Sequence, residues 1–155
     1  MESKNVIVCT SVSHGGTRRI AEAMAGVLDA EVVPPQRADP DLLARADLVG
    51  FGSGVFHGRM HADLLGLARA LPRGRGSAFA FATSGFLEFP LLPFTRPLAR
   101  SLADAGFAVR GTFTCRAWDT WGPFGLVGGL HRRRPDERDL AAAREFAGRM
   151  RRAVG

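Results

Sequence analysis

The sequence has two cysteines, a single lysine, no tyrosine and no long apolar run. Cys9 and Cys115 are too few and too far apart for a disulfide framework, or for a zinc site built from clustered ligands at short spacing. Every long stretch without charge is broken by glycine, proline or polar residues, so none reaches the roughly 18 apolar residues of a membrane span. The start, Met1-Glu2-Ser3-Lys4-Asn5, is charged and leads into no apolar segment of signal-peptide length. We therefore expect a cytoplasmic protein that does not enter a membrane. Lys4 is the sole lysine, so no glycine-rich loop ends in the Lys-Ser/Thr pair of a Walker A phosphate loop. The G-x-G-x-x-G dinucleotide fingerprint is absent too.

What is present suits one globular domain spanning 1–155, because 46% of the 155 residues are hydrophobic and 23% are charged, enough for a full core. The net charge is +6, and the basic excess sits after residue 72. Such a balance bears on partners rather than on fold. Arg132-Arg133-Arg134 reads as a solvated run, so no nucleic-acid partner is expected.

Asn5 to Thr10 (NVIVCT) is a continuous apolar run, the pattern of a strand covered on both faces. A glycine-rich loop, Ser11 to Thr17, follows. Ile20, Ala21, Met24, Val27 and Leu28 then recur at helical spacing. Glu31 to Val33 is a short strand, and Asp39-Pro40 marks the cap and first turn of a short helix through Ala46. Asp47 to Gly52 is the third strand, Ser53 to Met60 a loop, and His61 to Leu71 a helix stopped by Pro72. Ser77 to Ala82 is a fourth strand, and a helix from Thr95 to Ala105 ends at Gly106. From Phe107 to Cys115, Phe107, Val109, Phe113 and Cys115 alternate with Arg110, Thr112 and Thr114, which predicts an edge strand with one partly wet face. Asp136 opens a last helix whose apolar stripe is Leu140, Ala143, Phe146, Ala147 and Met150. Five strands alternating with five helices predict an α/β, doubly wound parallel sheet with helices on both faces. Its ligand site lies outside the carboxyl ends of the strands.

Three loops at that edge carry chemistry. Ser11, Ser13 and Thr17 surround Gly15 and Gly16 where a buried strand turns into a helix. Backbone N–H groups, hydroxyls and the helix dipole together suit a phosphate there, and the same residues also suit a plain turn with a capping hydroxyl. Gly52-Ser53-Gly54-Val55-Phe56-His57-Gly58 offers close backbone approach and two flat side chains, while core packing is the commoner fate of such a phenylalanine. Thr83-Ser84-Gly85 adds a third polar loop. A phosphoacceptor receiver domain would need acidic residues where Thr10-Ser11 and Gly52-Ser53 stand.

With these motifs in place, the chain resembles the flavodoxin family, whose members carry flavin mononucleotide (FMN). SVSHGGT with RRIAEAM resembles the phosphate loop and first helix. DLVGFGSGVFHGRMH resembles the third strand and its flavin-contacting loop, and FATSG the fourth strand and the loop beside the isoalloxazine. The segment from Cys115 to Leu140 is similar to the fifth loop and last helix of one bacterial and archaeal branch. The resemblance implies a five-stranded sheet of order 2-1-3-4-5, the topology for which flavodoxin is itself the standard example. It implies FMN as cofactor, bound by Ser11, Ser13, His14, Gly15, Gly16 and Thr17 at the phosphate. Ser53, Gly54, Val55, Phe56 and His57 would flank one face of the ring, and Thr83, Ser84 and Gly85 would meet the pyrimidine edge. Phe56 stands where the family often places a tyrosine or tryptophan, with Trp118 and Trp121 available for the other face. The phosphate loop is one residue longer than the family's Ser-x-Thr-Gly-x-Thr pattern. The function implied is electron transfer without a catalytic side chain or metal, and the alternative on the same fold is an FMN-dependent oxidoreductase of quinone-reductase or protoporphyrinogen-oxidase type. Family shuttles are acidic, whereas this chain is basic, so its redox partner is expected to present an acidic docking patch. With Cys9 on strand one and Cys115 on strand five, three strand spacings or about 14 Å would separate them, and both would be free thiols.

Overall fold

In the computed structural model the residues described are 5–10, 16–56, 59–60, 62–84, 95–116 and 136–154. The principal strands are β1 (Asn5–Cys9), β2 (Glu31–Val33), β3 (Leu48–Phe56), β4 (Ser77–Ser84) and β5 (Ala108–Arg116). The helices are α1 (Gly16–Leu28), α2 (Pro40–Arg45), α3 (Ala62–Ala70), α4 (Arg96–Asp104) and α5 (Glu137–Val154). The five strands pair in parallel in the order β2-β1-β3-β4-β5. Unnumbered here is a two-residue strand, Arg59–Met60, which folds back antiparallel on the end of β3. This is the flavodoxin topology that the sequence led us to expect.

Alternation in the buried strands feeds two cores. Val6, Val8, Val49, Phe51, Ala78 and Ala80 face α2, α3 and α4, where they meet Leu43, Leu64, Ala68, Leu98 and Leu102. Ile7, Cys9, Phe79 and Phe81 face α1 and α5, where they meet Ile20, Met24, Leu140, Phe146 and Met150. Full burial of such aliphatic or aromatic side chains contributes roughly 1.5–3 kcal/mol each relative to exposure.

Helix ends follow the chemistry of their caps. The Asp39 carboxylate accepts from Asp41 N–H at 3.0 Å, and Gly106, at φ +100°, closes α4 with its N–H on the Ala103 carbonyl. At the head of α5 the Asp136 carboxylate accepts from the N–H groups of Arg138 and Asp139, both at 3.1 Å. The Asp139 carboxylate reaches back to Asp136 N–H at 2.8 Å. This reciprocal cap leads to an expected loss of about 1 kcal/mol for Asp136→Ala, checked by urea denaturation; an unchanged midpoint would show that the cap contributes nothing.

Three expectations need correcting. The segment after Gly52 is not a loop from Ser53 to Met60, because β3 runs on to Phe56 and pairs back through Val55 with Met60 and Phe56 with Arg59. The loop between fourth strand and fourth helix likewise begins later, since Thr83 and Ser84 belong to β4. Nor do Phe107, Val109, Phe113 and Cys115 share a face. Val109 pairs with Ala78 but Gly111 pairs with Phe79, so Arg110 is an extra residue. The bulge turns the strand over, leaving Phe107 and Val109 against α3 and α4 and Phe113 and Cys115 against α5. Arg110 Nε donates to Ser77 Oγ at 2.9 Å beside the bulge.

Candidate functional site

The carboxyl ends of β1, β3, β4 and β5 form one edge of the sheet, and α1 begins there. Ile20, Ala21, Met24 and Leu28 are buried against the sheet, which fixes the axis of α1 and holds its amino terminus at that edge. A helix start leaves backbone N–H groups without intrahelical partners and carries partial positive charge. The first turns of α2, α3 and α5 hold carboxylates of their own, Asp41, Asp63, and Glu137 with Asp139. The first turns of α1 and α4 have none. In α1, Gly16 and Thr17 are buried in this turn, and Arg18 and Arg19 follow; Arg18 makes an exposed ion pair with Glu22 at 2.9 Å. An anion is the charge this terminus favours.

Thr10 links β1 to that site. Its N–H donates to the Gly52 carbonyl at 3.0 Å. Its hydroxyl is buried and, among the described residues, has no hydrogen-bond partner. A buried polar group left unpaired costs about 1–3 kcal/mol, so such a hydroxyl at the carboxyl end of β1 fits a ligand-binding edge. In the sequence Thr10 reads only as the end of the first strand. Its signal was available as a hydroxyl ending an otherwise apolar run.

Thr17 and Thr83 meet across β3, their hydroxyl oxygens 2.6 Å apart and both residues only 3% exposed. Alternation explains the contact. On the face covered by α1, β4 presents Phe79, Phe81 and then Thr83, while β3 presents Gly50, Gly52 and Gly54 in register with them. A Cβ at Gly50 or Gly52 would enter the ring of Phe79 or Phe81, so these glycines make room for rings rather than for a ligand. Gly54 continues the same row beside Thr83.

The remaining expected site residues fall as follows. Ser53 lies in β3, fully buried, with its hydroxyl donating to the Gly54 carbonyl at 2.8 Å. Val55 and Phe56 end β3, and Ser84 ends β4 in register with Arg116. Ser11, Ser13, His14, Gly15, His57 and Gly85 lie outside the described residues, as do Trp118, Trp121 and Arg132–Arg134. The structure therefore brings Thr17, Gly54 and Thr83 together on the face covered by α1, with Gly16, Ser53 and Thr10 at the same edge of the sheet.

Both cysteines are free, Cys9 buried and Cys115 half-buried, on strands separated by β3 and β4. Burial pushes the Cys9 thiol up to about 12, against a weaker downward pull from Arg18. Among the described residues no three His, Cys, Asp or Glu side chains could hold a metal ion. None of the described helices is long and apolar enough to cross a membrane.

No family model matches the sequence. An uncharacterised protein of Methanocaldococcus jannaschii is 35% identical over 144 residues, which is 93% of this chain and 95% of that protein. Among solved structures, flavodoxin 2 of Bacillus cereus superposes with a TM-score of 0.72 at 18% identity, covering 97% of this chain and 99% of that one. A flavodoxin from the domain Archaea superposes with a TM-score of 0.65 at 19% identity, covering 97% and 98%. At such identities the structural likeness establishes a common fold.

Proposed function

The chain belongs to a flavodoxin-like family together with its Methanocaldococcus jannaschii relative, and on that premise we propose that it binds FMN non-covalently and passes electrons between protein partners. The observation that supports this most is the buried contact between Thr17 and Thr83. It joins the positive end of α1 to the carboxyl end of β4, so that an anion site and the strand ends that would receive a planar ring lie side by side. A phosphorylated flat ligand needs that combination. The orphan hydroxyl of Thr10 adds an unsatisfied donor at the same edge.

In this reading Ser11, Ser13, His14, Gly15, Gly16 and Thr17 bind the phosphate. Ser53, Gly54, Val55, Phe56 and His57 lie along one face of the ring, and Thr83, Ser84 and Gly85 close the site from β4. The flavin supplies the redox chemistry, while the protein binds it, orients it and sets its electrostatic surroundings. A net charge of +6 favours a redox partner with an acidic docking surface. The whole chain serves as one cytoplasmic domain.

The test is the visible absorption spectrum of the purified protein after addition of FMN and gel filtration. The expected result is a retained flavin spectrum with close to one FMN per chain, and no turnover of NAD(P)H with a quinone unless a reductase is added. A protein that emerges colourless overturns the reading. Turnover by the purified protein alone replaces the carrier with an FMN-dependent oxidoreductase.

A further inference from the structure

We infer that Thr83 is a positioning residue for the phosphate end of the ligand, acting through Thr17, rather than a partner of the flavin ring. This rests on the FMN reading above and concerns how the chain's own residues serve it. A threonine hydroxyl has one proton to give and two lone pairs to receive. The Thr17 and Thr83 oxygens are 2.6 Å apart and both residues are about as buried as the core beneath them. One of the two protons lies between the oxygens, and the other is left to point elsewhere.

The direction matters for an anion. If Thr17 donates to Thr83, Thr17 has only lone pairs to turn towards the amino terminus of α1, which would repel a phosphate. If Thr83 donates to Thr17, the Thr17 proton is released to point at the anion. A phosphate at α1 therefore selects the second arrangement, and Thr83 is what holds it. The third strand permits this, because Gly54 is the residue in register with Thr83, so β3 places no side chain between β4 and α1 at that level. The first turn of α1 carries no carboxylate to compete for the Thr17 proton.

The test compares the dissociation constants of FMN and of riboflavin, which lacks the phosphate, by quenching of flavin fluorescence. Wild type, Thr83→Val and Thr83→Ser are measured side by side. Thr83→Val, which keeps the shape and removes the hydroxyl, is expected to weaken FMN about tenfold and leave riboflavin within about twofold. Thr83→Ser is expected to restore the wild-type FMN-to-riboflavin ratio. A general loosening of the fold would weaken both ligands alike and leave the ratio unchanged, so the ratio separates positioning from packing. Equal losses for both ligands, or no loss for either, overturn this inference while FMN binding by wild type upholds the parent reading. Failure of wild type to bind either flavin removes the parent reading and this inference with it.

Discussion

Gly52→Ala is expected to destabilise the folded chain by about 3 kcal/mol, the upper end of what overpacking by one methyl costs. The new Cβ would sit inside the ring of Phe81. That ring has nowhere to go, since it is fully buried beside Phe79, with ring centroids 6.1 Å apart, and Phe79 in turn meets Phe146 edge-on at 5.6 Å. The backbone has no freedom either, because Gly52 is paired to Cys9 on one side and to Phe81 on the other. The contrast is Gly66→Ala in α3, where a Cβ meets nothing within 4 Å. There the same methyl is expected to stabilise by roughly 0.5–1 kcal/mol through helix propensity. Urea denaturation of the two variants against wild type reads both signs. Combining Gly52→Ala with Phe81→Leu should recover part of the loss, since the clash is with the ring. A Gly52→Ala protein as stable as wild type would mean that the ring moves aside at no cost.

The glycine row also marks the boundary of what the sequence makes legible. Element type and order follow from local signals: continuous apolar runs for β1 and β4, helical spacing from Ile20 to Leu28, the Asp39-Pro40 start and the Gly106 stop. Each of these is a property of neighbouring residues, and each is found in the fold. What the sequence does not display is pairing. Gly52 looks like a ligand-facing glycine until β3 is set in register with β4 and Phe81 is seen lying over it, as Phe79 lies over Gly50. The bulge at Arg110 is equally hidden, because a bulge is defined by the partner strand and leaves the sequence alternation of β5 intact while exchanging its faces. The extension of β3 to Phe56 depends on its antiparallel return at Arg59–Met60, a contact that Ser, Gly and His in the segment argue against locally.

The site divides in the same way. The expectation of a phosphate site ahead of α1 rests on hydroxyls and glycines clustered within seven residues, from Ser11 to Thr17. The contact of Thr17 with Thr83 spans 66 residues and needs both the strand order and a glycine at 54. The burial of Thr10 without a partner among the described residues is equally a property of the packed strand and not of its neighbours in sequence.

The Cys9 thiol is expected to be about a thousand times less reactive towards an alkylating reagent at pH 8 than an ordinary thiol. With its pKa pushed up to about 12 by burial, the reactive thiolate is on the order of one part in ten thousand at pH 8, against roughly one in ten for an ordinary cysteine. A Cys115→Ala variant leaves Cys9 as the sole cysteine, so alkylation followed by mass spectrometry measures it directly. Rapid labelling in the folded state would overturn the expectation. The same shift ties stability to pH. Between about pH 9 and pH 12 the unfolded chain has lost the Cys9 proton while the folded chain keeps it, so stability falls as pH rises, by about 1.4 kcal/mol per unit. Below pH 9 both states hold the proton and the contribution is constant. The composition makes this limb readable, because there is no tyrosine, one lysine and one other cysteine to titrate in that window, and arginine titrates above it. In the Cys115→Ala background, Cys9→Ala should flatten the slope, and a slope that survives would assign it elsewhere. A thiol kept neutral one residue before Thr10 places no negative charge beside the proposed phosphate, and at neutral pH it offers no thiolate for redox chemistry of its own. In the proposed reading, redox chemistry at this edge of the sheet is left to the flavin rather than to Cys9.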